Sequence, residues 1–287
     1  MKVLPLLFIY LSFTNAQDDE FSKCASMGIT IFGNKELVNV GWKNLTTMTV
    51  YYFDVYNNDK LKKLNMPKWK TFSCPTKGCT TTGIINNYYE PKFCFTTLEL
   101  KALTGPRVFK PMLTGEVCAP NKSNKKVCTK PTAGCQEMVG DLNIGAKFDV
   151  KKVKALKALY GTLTVKGTKF TNLNFLGNLT TIVQLSSFKL AIDIQNNKQL
   201  KTVQLPKLKR ILASRWESVE ITKNHKNLLK DAAGCRMIRT ALDQYDGWAS
   251  PSVFDGLTCE QMGGTGTTKK GGTTKKATTK KASGGIS

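Results

Sequence analysis

The chain has 287 residues, a formal net charge of +23, nine cysteines and a single histidine. One histidine leaves acid–base catalysis at neutral pH without its usual residue, and the motifs GxSxG and HExxH and a phosphate-binding glycine loop do not occur, so we expect no enzyme. After the N-terminus, no stretch approaches the ~18 apolar residues that a membrane span requires.

The first sixteen residues have the features of a secretory signal peptide. Lys2 precedes an apolar run from Val3 to Phe13, and the small residue Ala16 stands just before the acidic Asp18. This pattern predicts a signal peptide at 1–16, a secreted extracellular protein and an oxidising environment for the cysteines. The alternative is an ordinary buried strand or helix at the N-terminus.

Two parts of the chain repeat each other. Residues 27–48 align without a gap with 161–182, and the run Asn-Leu-Thr-Thr occurs in both. After five additional residues in the second copy, 57–70 align with 196–209. A duplication of this length indicates two similar domains.

We place the boundaries of these domains where the amino-acid composition changes. We predict a first unit at 24–118 and a second at 135–259, each large enough for one hydrophobic core. The polar residues 119–134 between them are typical of a linker. Residues 260–287 are mostly Thr, Lys and Gly, so they cannot bury a core and are predicted to be disordered.

The cysteines predict disulfides in a secreted chain. Two candidate pairs, Cys94–Cys118 and Cys235–Cys259, have the same interval of 24 residues in both copies. Short loops containing Pro and Gly favour two more pairs, Cys74–Cys79 and Cys128–Cys135. Cys24 is then left over; it pairs within the domain, pairs with another chain, or shows that this connectivity is wrong. No metal or other cofactor is expected, because His225 lies in a polar segment without close-spaced cysteine pairs.

Short segments of alternating apolar and polar residues predict strands in the second unit. Ile144, Val165, Ile194 and Ile221 hold equivalent places, at intervals of 21, 29 and 27 residues. These intervals are too long for consecutive hairpins and favour a solenoid whose strands stack in parallel. Asparagines follow the strands where the chain bends, and stacking would place them in a column, at Asn57, Asn58, Asn86, Asn87, Asn196, Asn197 and Asn224.

The second unit resembles a known family. The segments CQEMVGDLNIG at 135–145, LYGTLTVKGTKFTNLNFLGNLTTI at 159–182 and AIDIQNNKQLKTVQLPKLKRI at 191–211 are similar to the L domain of insulin and EGF receptors. The resemblance extends to 55–72 and 86–95, and it is to secreted nematode proteins with two L domains. It implies a mainly β chain with two right-handed parallel β-helices and short capping helices. The first copy has room for one fewer turn.

The resemblance also implies a function. In those receptors, L domains present a sheet face to a peptide hormone or growth factor. Because no cysteine-rich module, membrane span or kinase follows, we expect a non-catalytic secreted protein that binds an insulin-like or EGF-like peptide or a receptor ectodomain, including as a soluble decoy. Nucleic acid is not an expected partner of a secreted chain, and Tyr51, Tyr52, Phe53, Tyr88 and Tyr89 are expected to line a sheet face or a protein interface.

Charge supports an alternative function as a basic matrix or cell-surface protein that binds polyanions such as sulfated glycans. Lysines such as Lys60, Lys62, Lys63, Lys198, Lys201 and Lys207 could equally well solvate the surface.

Candidate N-glycosylation sites are Asn44, Asn121 and Asn178, of which the first and last are equivalent in the repeat. Should hydrolysis be observed, Asp141, Asp193 and Glu220 are the first candidates for mutation.

Overall fold

The structure is a computed structural model that describes residues 9–10, 28–77, 82–86, 93–105, 108, 112–121, 123–214, 218–243 and 254–262. The regular secondary structure is mainly β, with eighteen short strands and two α-helices among the described residues, α1 at Thr97–Leu103 and α2 at Ala232–Asp243. Short 3-10 helices lie at Val150–Val153, Asn174–Leu176 and Lys226–Lys230. The prediction of a mainly β chain with short helices is confirmed.

The first unit contains nine described strands. They are β1 Ile9–Tyr10, β2 Ile29–Phe32, β3 Thr47–Thr49, β4 Tyr52–Tyr56, β5 Thr71–Ser73, β6 Thr82–Asn86, β7 Cys94–Phe95, β8 Met112–Thr114 and β9 Glu116–Val117. Sheet 1 has the order β1-β2-β4-β6-β8, and its pairs are parallel except for the antiparallel pair β1–β2. β1 falls within the predicted signal peptide, whose remaining residues lie outside the described ranges.

The second unit contains two parallel sheets. Its strands are β10 Val127–Cys128, β11 Glu137–Val139, β12 Leu142–Ile144, β13 Ala158–Tyr160, β14 Leu163–Lys166, β15 Thr181–Gln184, β16 Ile192–Gln195, β17 Arg210–Ala213 and β18 Val219–Thr222. Sheet 2 has the order β10-β11-β13-β15-β17, and sheet 3 has the order β12-β14-β16-β18. β10 lies inside the segment predicted as a linker, so the second unit begins before residue 135.

The register of sheet 3 agrees with the sequence periodicity. Ile144 pairs with Val165, Val165 with Ile194, and Ile194 with Ile221. In the described residues, however, the strands do not close into a solenoid. The third side of the second unit consists of loops and 3-10 helices in place of a third continuous sheet, because Pro206 and several Asn residues favour turns there.

Asparagine side chains fix the corners of both units. Asn57 and Asn196 have positive φ angles of 53° and 58°, a conformation that Asn adopts more readily than most residues. The next residue in each case, Asn58 or Asn197, is fully buried. Asn197 Oδ1 accepts hydrogen bonds from Thr168 N at 2.9 Å and from Thr168 Oγ1 at 2.8 Å.

The column continues in both directions. Asn197 N donates to Asn224 Oδ1 at 3.0 Å, and Asn224 Nδ2 donates to Ile194 O at 2.9 Å. In the first unit, Asn58 Oδ1 accepts from Asn34 N at 3.1 Å. The predicted column therefore forms, and Asn34 is a member that the sequence did not indicate. The side chains of Asn86 and Asn87 lie outside the description.

The two units pack against each other. The side of sheet 2 that faces away from the second core is covered by the first unit, where Ala158, Tyr160, Val183 and Leu212 join the apolar cluster of that unit. Tyr160 Oη donates to Thr97 O at 3.3 Å. Burial, together with the nearby Glu137, raises the pKa of Tyr160, so the phenol stays a hydrogen-bond donor. The tandem units thus share a buried interface.

Three disulfides are described: Cys94–Cys118, Cys128–Cys135 and Cys235–Cys259. These are pairs that the cysteine intervals favour. The first joins β7 to the residue after β9, and the third joins α2, which contains Cys235, to the turn at Cys259. Cys74 is also disulfide-bonded. Cys24 and Cys79 lie outside the described residues, so the predicted pair Cys74–Cys79 and the fate of Cys24 stay predictions.

Candidate ligand-binding face

The outer side of sheet 1 carries an unusual set of side chains. Alternation along the strands turns one row into the core, where Ile31, Val55, Ile85 and Leu113 are buried in register. The residues next to them point outward. We call this outer side the aromatic face and define it by Thr30, Phe32, Tyr52, Asp54, Tyr56 and Met112.

Two of its apolar side chains are exposed to an unusual degree. Phe32 is 43% exposed and Met112 is 59% exposed. The rings of Phe32 and Tyr56 stack with their centroids 5.5 Å apart and an angle of 20° between their planes. Since β2 and β8 are separated by three strand spacings of about 4.8 Å, Phe32 and Met112 lie on strands roughly 14 Å apart across the sheet.

Tyr52 completes one corner of the aromatic face. A Cβ atom at Gly28 would lie 2.0 Å from Tyr52 Cε2, so the ring occupies space that only glycine leaves open. Phe53, the next residue, is fully buried and packs edge-on against Trp69. Of the aromatics expected at a sheet face, Tyr52 is there and Phe53 belongs to the core. Tyr88 and Tyr89 lie outside the described residues.

The equivalent face of the second unit is polar. In the repeat, Lys166 corresponds to Phe32 and Gln195 corresponds to Tyr56, on adjacent strands of sheet 3. Asp193 holds the place of Asp54. The two copies thus present different chemistry on the same structural surface, and the exposed apolar side chains are on the first copy.

Two of the three acidic candidates are neighbours on this polar face. Asp193 and Glu220 are register partners on β16 and β18. Burial raises the pKa of Asp193; the charge of Lys166 opposes that shift and the charge of Glu220 adds to it. Asp141 lies in the turn before β12, and its Oδ2 atom accepts from Lys189 Nζ at 2.8 Å.

Asp141 has a separate set of partners. Desolvation disfavours its charged form, but hydrogen bonds from Lys189 and from Thr162 N outweigh that effect and lower its pKa. The structure therefore joins Asp193 with Glu220 and ties Asp141 into an ion pair.

Replacing Asp193 with asparagine is expected to stabilise the chain slightly at neutral pH. Folding raises the pKa of Asp193, so the folded state binds the carboxyl proton of Asp193 more tightly than the unfolded state does. The free energy of unfolding therefore falls as pH rises from the unfolded-state pKa through the folded-state pKa. The neutral amide of the variant would lack that penalty, which we set at a few tenths of a kcal/mol because the group is partly exposed to solvent.

Urea denaturation of both proteins at pH 4 and pH 7 measures this effect. The gain from Asp193→Asn should be larger at pH 7 than at pH 4. Asp141→Asn provides the matched control, since it removes a favourable ion pair and should lower stability at pH 7. A loss of stability in Asp193→Asn at pH 7 would contradict the expected sign.

The candidate glycosylation sites are all exposed. Asn44 Oδ1 accepts from Lys68 Nζ at 3.1 Å, and the equivalent Asn178 Oδ1 accepts from Lys207 Nζ at 2.8 Å. Asn121 Oδ1 accepts from Ser123 N at 3.0 Å. The repeat therefore preserves an asparagine–lysine contact as well as the acceptor motif.

His225 has a local structural contact. Its Nδ1 atom accepts from Asn227 N at 3.0 Å at the start of the 3-10 helix Lys226–Lys230. Among the described residues, no three His, Cys, Asp or Glu side chains come close enough to hold a metal ion. None of the helices in the described ranges is sufficiently long and apolar to cross a bilayer.

Comparison with known proteins supports part of the sequence-based resemblance. No curated protein and no solved structure matches the chain. The family model of the Receptor L domain matches residues 134–236, which extend from just before β11 into α2. The matched segment holds most of sheets 2 and 3. By this match, the second unit is similar to the Receptor L domain family.

Proposed function

We propose that the chain is a secreted, non-catalytic binding protein whose aromatic face takes up an extracellular peptide or protein ligand. The similarity of the second unit to the Receptor L domain supports a ligand-binding role. Insulin-like and EGF-like peptides and receptor ectodomains are the first ligands to test. We propose that it acts as a soluble decoy or modulator of receptor signalling.

The observation that carries this proposal is the exposure of Phe32 and Met112 on one side of sheet 1, with the half-buried Tyr56 stacked on Phe32. Large exposed apolar side chains on one sheet face are typical of protein interfaces, where Tyr, Phe and Met are enriched. The corresponding face of the second unit has Lys166 and Gln195 instead. The parallel strands beneath hold the side chains at fixed spacing, which reduces the entropy lost on binding.

Secretion and the L-domain fold of both units belong to the same proposal. Three disulfides fit an extracellular protein. Each unit is proposed to be a right-handed β-helix, with the first copy shortened. N-terminal sequencing of protein from the culture medium tests the cleavage after Ala16, and peptide mapping without reduction tests Cys24, Cys74 and Cys79 together.

The double variant Phe32→Ser, Met112→Ser is expected to weaken ligand binding by at least about 2 kcal/mol, or roughly thirtyfold, because buried anchor residues dominate interface energies. Surface plasmon resonance with immobilised mature protein, over a panel of insulin-like and EGF-like peptides and their receptor ectodomains, measures the affinity.

A matched control is Phe188→Ser. Phe188 is 90% exposed in the turn between β15 and β16 of the second unit and is not one of the side chains that define the aromatic face, so its loss should leave the affinity unchanged. If the control and the double variant lose the same amount of affinity for the ligand, the aromatic face is not the binding site. An absence of saturable binding across the whole panel at tens of micromolar would count against the proposed ligand classes.

A further inference from the structure

The third side of the second unit is a stack of four loops. They are residues 145–157, 167–180, 196–209 and 223–231. Backbone hydrogen bonds join neighbouring loops: Thr180 N donates to Lys157 O at 2.8 Å, and Lys209 N donates to Thr180 O at 2.8 Å. His225 N donates to Asn197 O at 3.1 Å. The loops therefore lie side by side in a fixed order.

These loops carry thirteen exposed lysines, which we call the lysine face. They are Lys147, Lys151, Lys152, Lys154, Lys157, Lys169, Lys198, Lys201, Lys207, Lys209, Lys223, Lys226 and Lys230. Within the part of the chain that the structure describes, none of them forms an ion pair.

The two acids of the same loops are occupied by backbone groups. Asp231 is buried and accepts from Val203 N at 2.8 Å and from Gly234 N at 3.0 Å. Asp149 accepts from Lys151 N at 3.0 Å. Neither carboxylate is placed to neutralise the lysine face, so its positive charge faces solvent.

Asn178 connects the lysine-bearing loops through the backbone of Lys154 and the ammonium group of Lys207. Asn178 Nδ2 donates to Lys154 O at 2.8 Å, and Lys207 Nζ donates to Asn178 Oδ1 at 2.8 Å. Lysines from the first and third loops thus flank one asparagine of the second loop. With strands about 4.8 Å apart, four loops give a basic strip roughly 15 Å long.

The first unit lacks the same uninterrupted charge. There, Lys60 forms an ion pair with Glu36 at 2.8 Å. In the second unit, Phe170 and Gln199 hold the equivalent positions. These two positions carry no net charge in either copy, and the second copy lacks the acid that pairs with a lysine in the first.

We propose that the lysine face binds a linear sulfated polysaccharide. This function is separate from ligand binding at the aromatic face. Lysine ammonium groups act as point charges and need no fixed bidentate geometry, which suits sulfates spaced along a flexible polymer. Disulfides favour an extracellular protein, away from nucleic acid, and anionic lipids are concentrated in the cytoplasmic leaflet. A sulfated polysaccharide is the polyanion that remains.

The test compares two variants with the same loss of charge. The face variant carries Lys154→Gln, Lys157→Gln, Lys207→Gln and Lys209→Gln, and the control carries Lys77→Gln, Lys125→Gln, Lys126→Gln and Lys130→Gln, all at exposed lysines. All proteins are full mature chains that keep Asn178 and are produced in a host without N-glycosylation, so that no glycan covers the lysine face. Titration with a heparin oligosaccharide is expected to show binding that weakens at least about tenfold in the face variant and less than about threefold in the control.

Four outcomes would overturn the proposal. Equal weakening in both variants would show that only net charge matters. Unchanged affinity for desulfated heparin would show that sulfate is not recognised. Equally tight binding, at the same salt concentration, to duplex DNA or to phosphatidylserine vesicles, lost in the face variant, would assign the lysine face to another partner class. A second chain lacking residues 263–287 should keep most of its heparin affinity; loss of binding there would place the site in the tail.

Discussion

Asn197→Ala is expected to lower the free energy of unfolding by about 3 kcal/mol or more, because each buried polar group left without a partner costs about 1–3 kcal/mol. Asn197 is fully buried. Its Oδ1 accepts from Thr168 N, and its Nδ2 donates to Val165 O at 2.9 Å. Alanine at 197 supplies neither an acceptor for Thr168 nor a donor for Val165.

Two further variants separate the amide's contribution from that of the turn. Asn197→Asp keeps the size of the side chain but replaces the donor Nδ2 with an acceptor, so it should be destabilised nearly as much as Asn197→Ala. Asn196→Gly changes the exposed neighbour at φ 58° to the residue that tolerates this angle best, so it should stay within about 0.5 kcal/mol of the parent.

Urea denaturation followed by circular dichroism, with disulfides kept oxidised, measures all three. A loss below about 1 kcal/mol in Asn197→Ala would show that the column does not hold the corner, because two unsatisfied buried groups should cost more than that.

The sequence predicted this column for a physical reason. Paired asparagines at a strand end supply a left-handed residue and a backbone-binding amide in succession, and the structure assigns those two tasks to Asn196 and Asn197 in that order. The prediction did not include Asn34. Its equivalent in the second copy is Thr168, so the repeat shows no shared residue there, although both donate to the buried amide of the next loop.

The sequence did not predict that the two units pack against each other. Strand β13 reads Ala-Leu-Tyr and is buried at all three positions. A continuous apolar strand of this kind is typical of a sheet covered on both faces. That signal was present, but it does not say what covers the second face. For the aromatic face, the sequence predicted only that tyrosines would line a sheet face or a protein interface. The exposure of Phe32 and Met112 depends on the register of sheet 1.

The burial of Arg210 was not predictable from its neighbours. Arg210 ends the basic run Lys207-Leu208-Lys209-Arg210, a pattern that predicts an exposed side chain. In the structure Arg210 is 3% exposed and lies at the interface between the units. Nη2 donates to Val108 O at 2.5 Å, and Nη1 donates to Gly105 O. Burial lowers the pKa of Arg210 to about 8, which leaves the guanidinium charged at pH 7.

Arg210→Ala is expected to lower the free energy of unfolding by about 3–4 kcal/mol, because it removes the donors for two carbonyl groups and leaves a cavity between the units. Arg210→Met should recover the packing part of this loss but not the hydrogen bonds, and so fall between Ala and the parent. Lys209→Ala, at the exposed neighbour, should change stability by no more than about 0.5 kcal/mol.

Guanidinium denaturation with tryptophan fluorescence and circular dichroism as parallel probes measures these changes. The second unit carries Trp216 and Trp248, so all proteins carry Trp216→Phe and Trp248→Phe. The remaining Trp42 and Trp69 report on the first unit, and unfolding of that unit alone would separate the two curves. We expect the parent to give coincident curves because the shared interface couples the units, and Arg210→Ala to bring unfolding of the first unit to lower denaturant. Coincident, unshifted curves in Arg210→Ala would mean that the guanidinium does not join the units, and that their apolar contact through Tyr160, Val183 and Leu212 suffices.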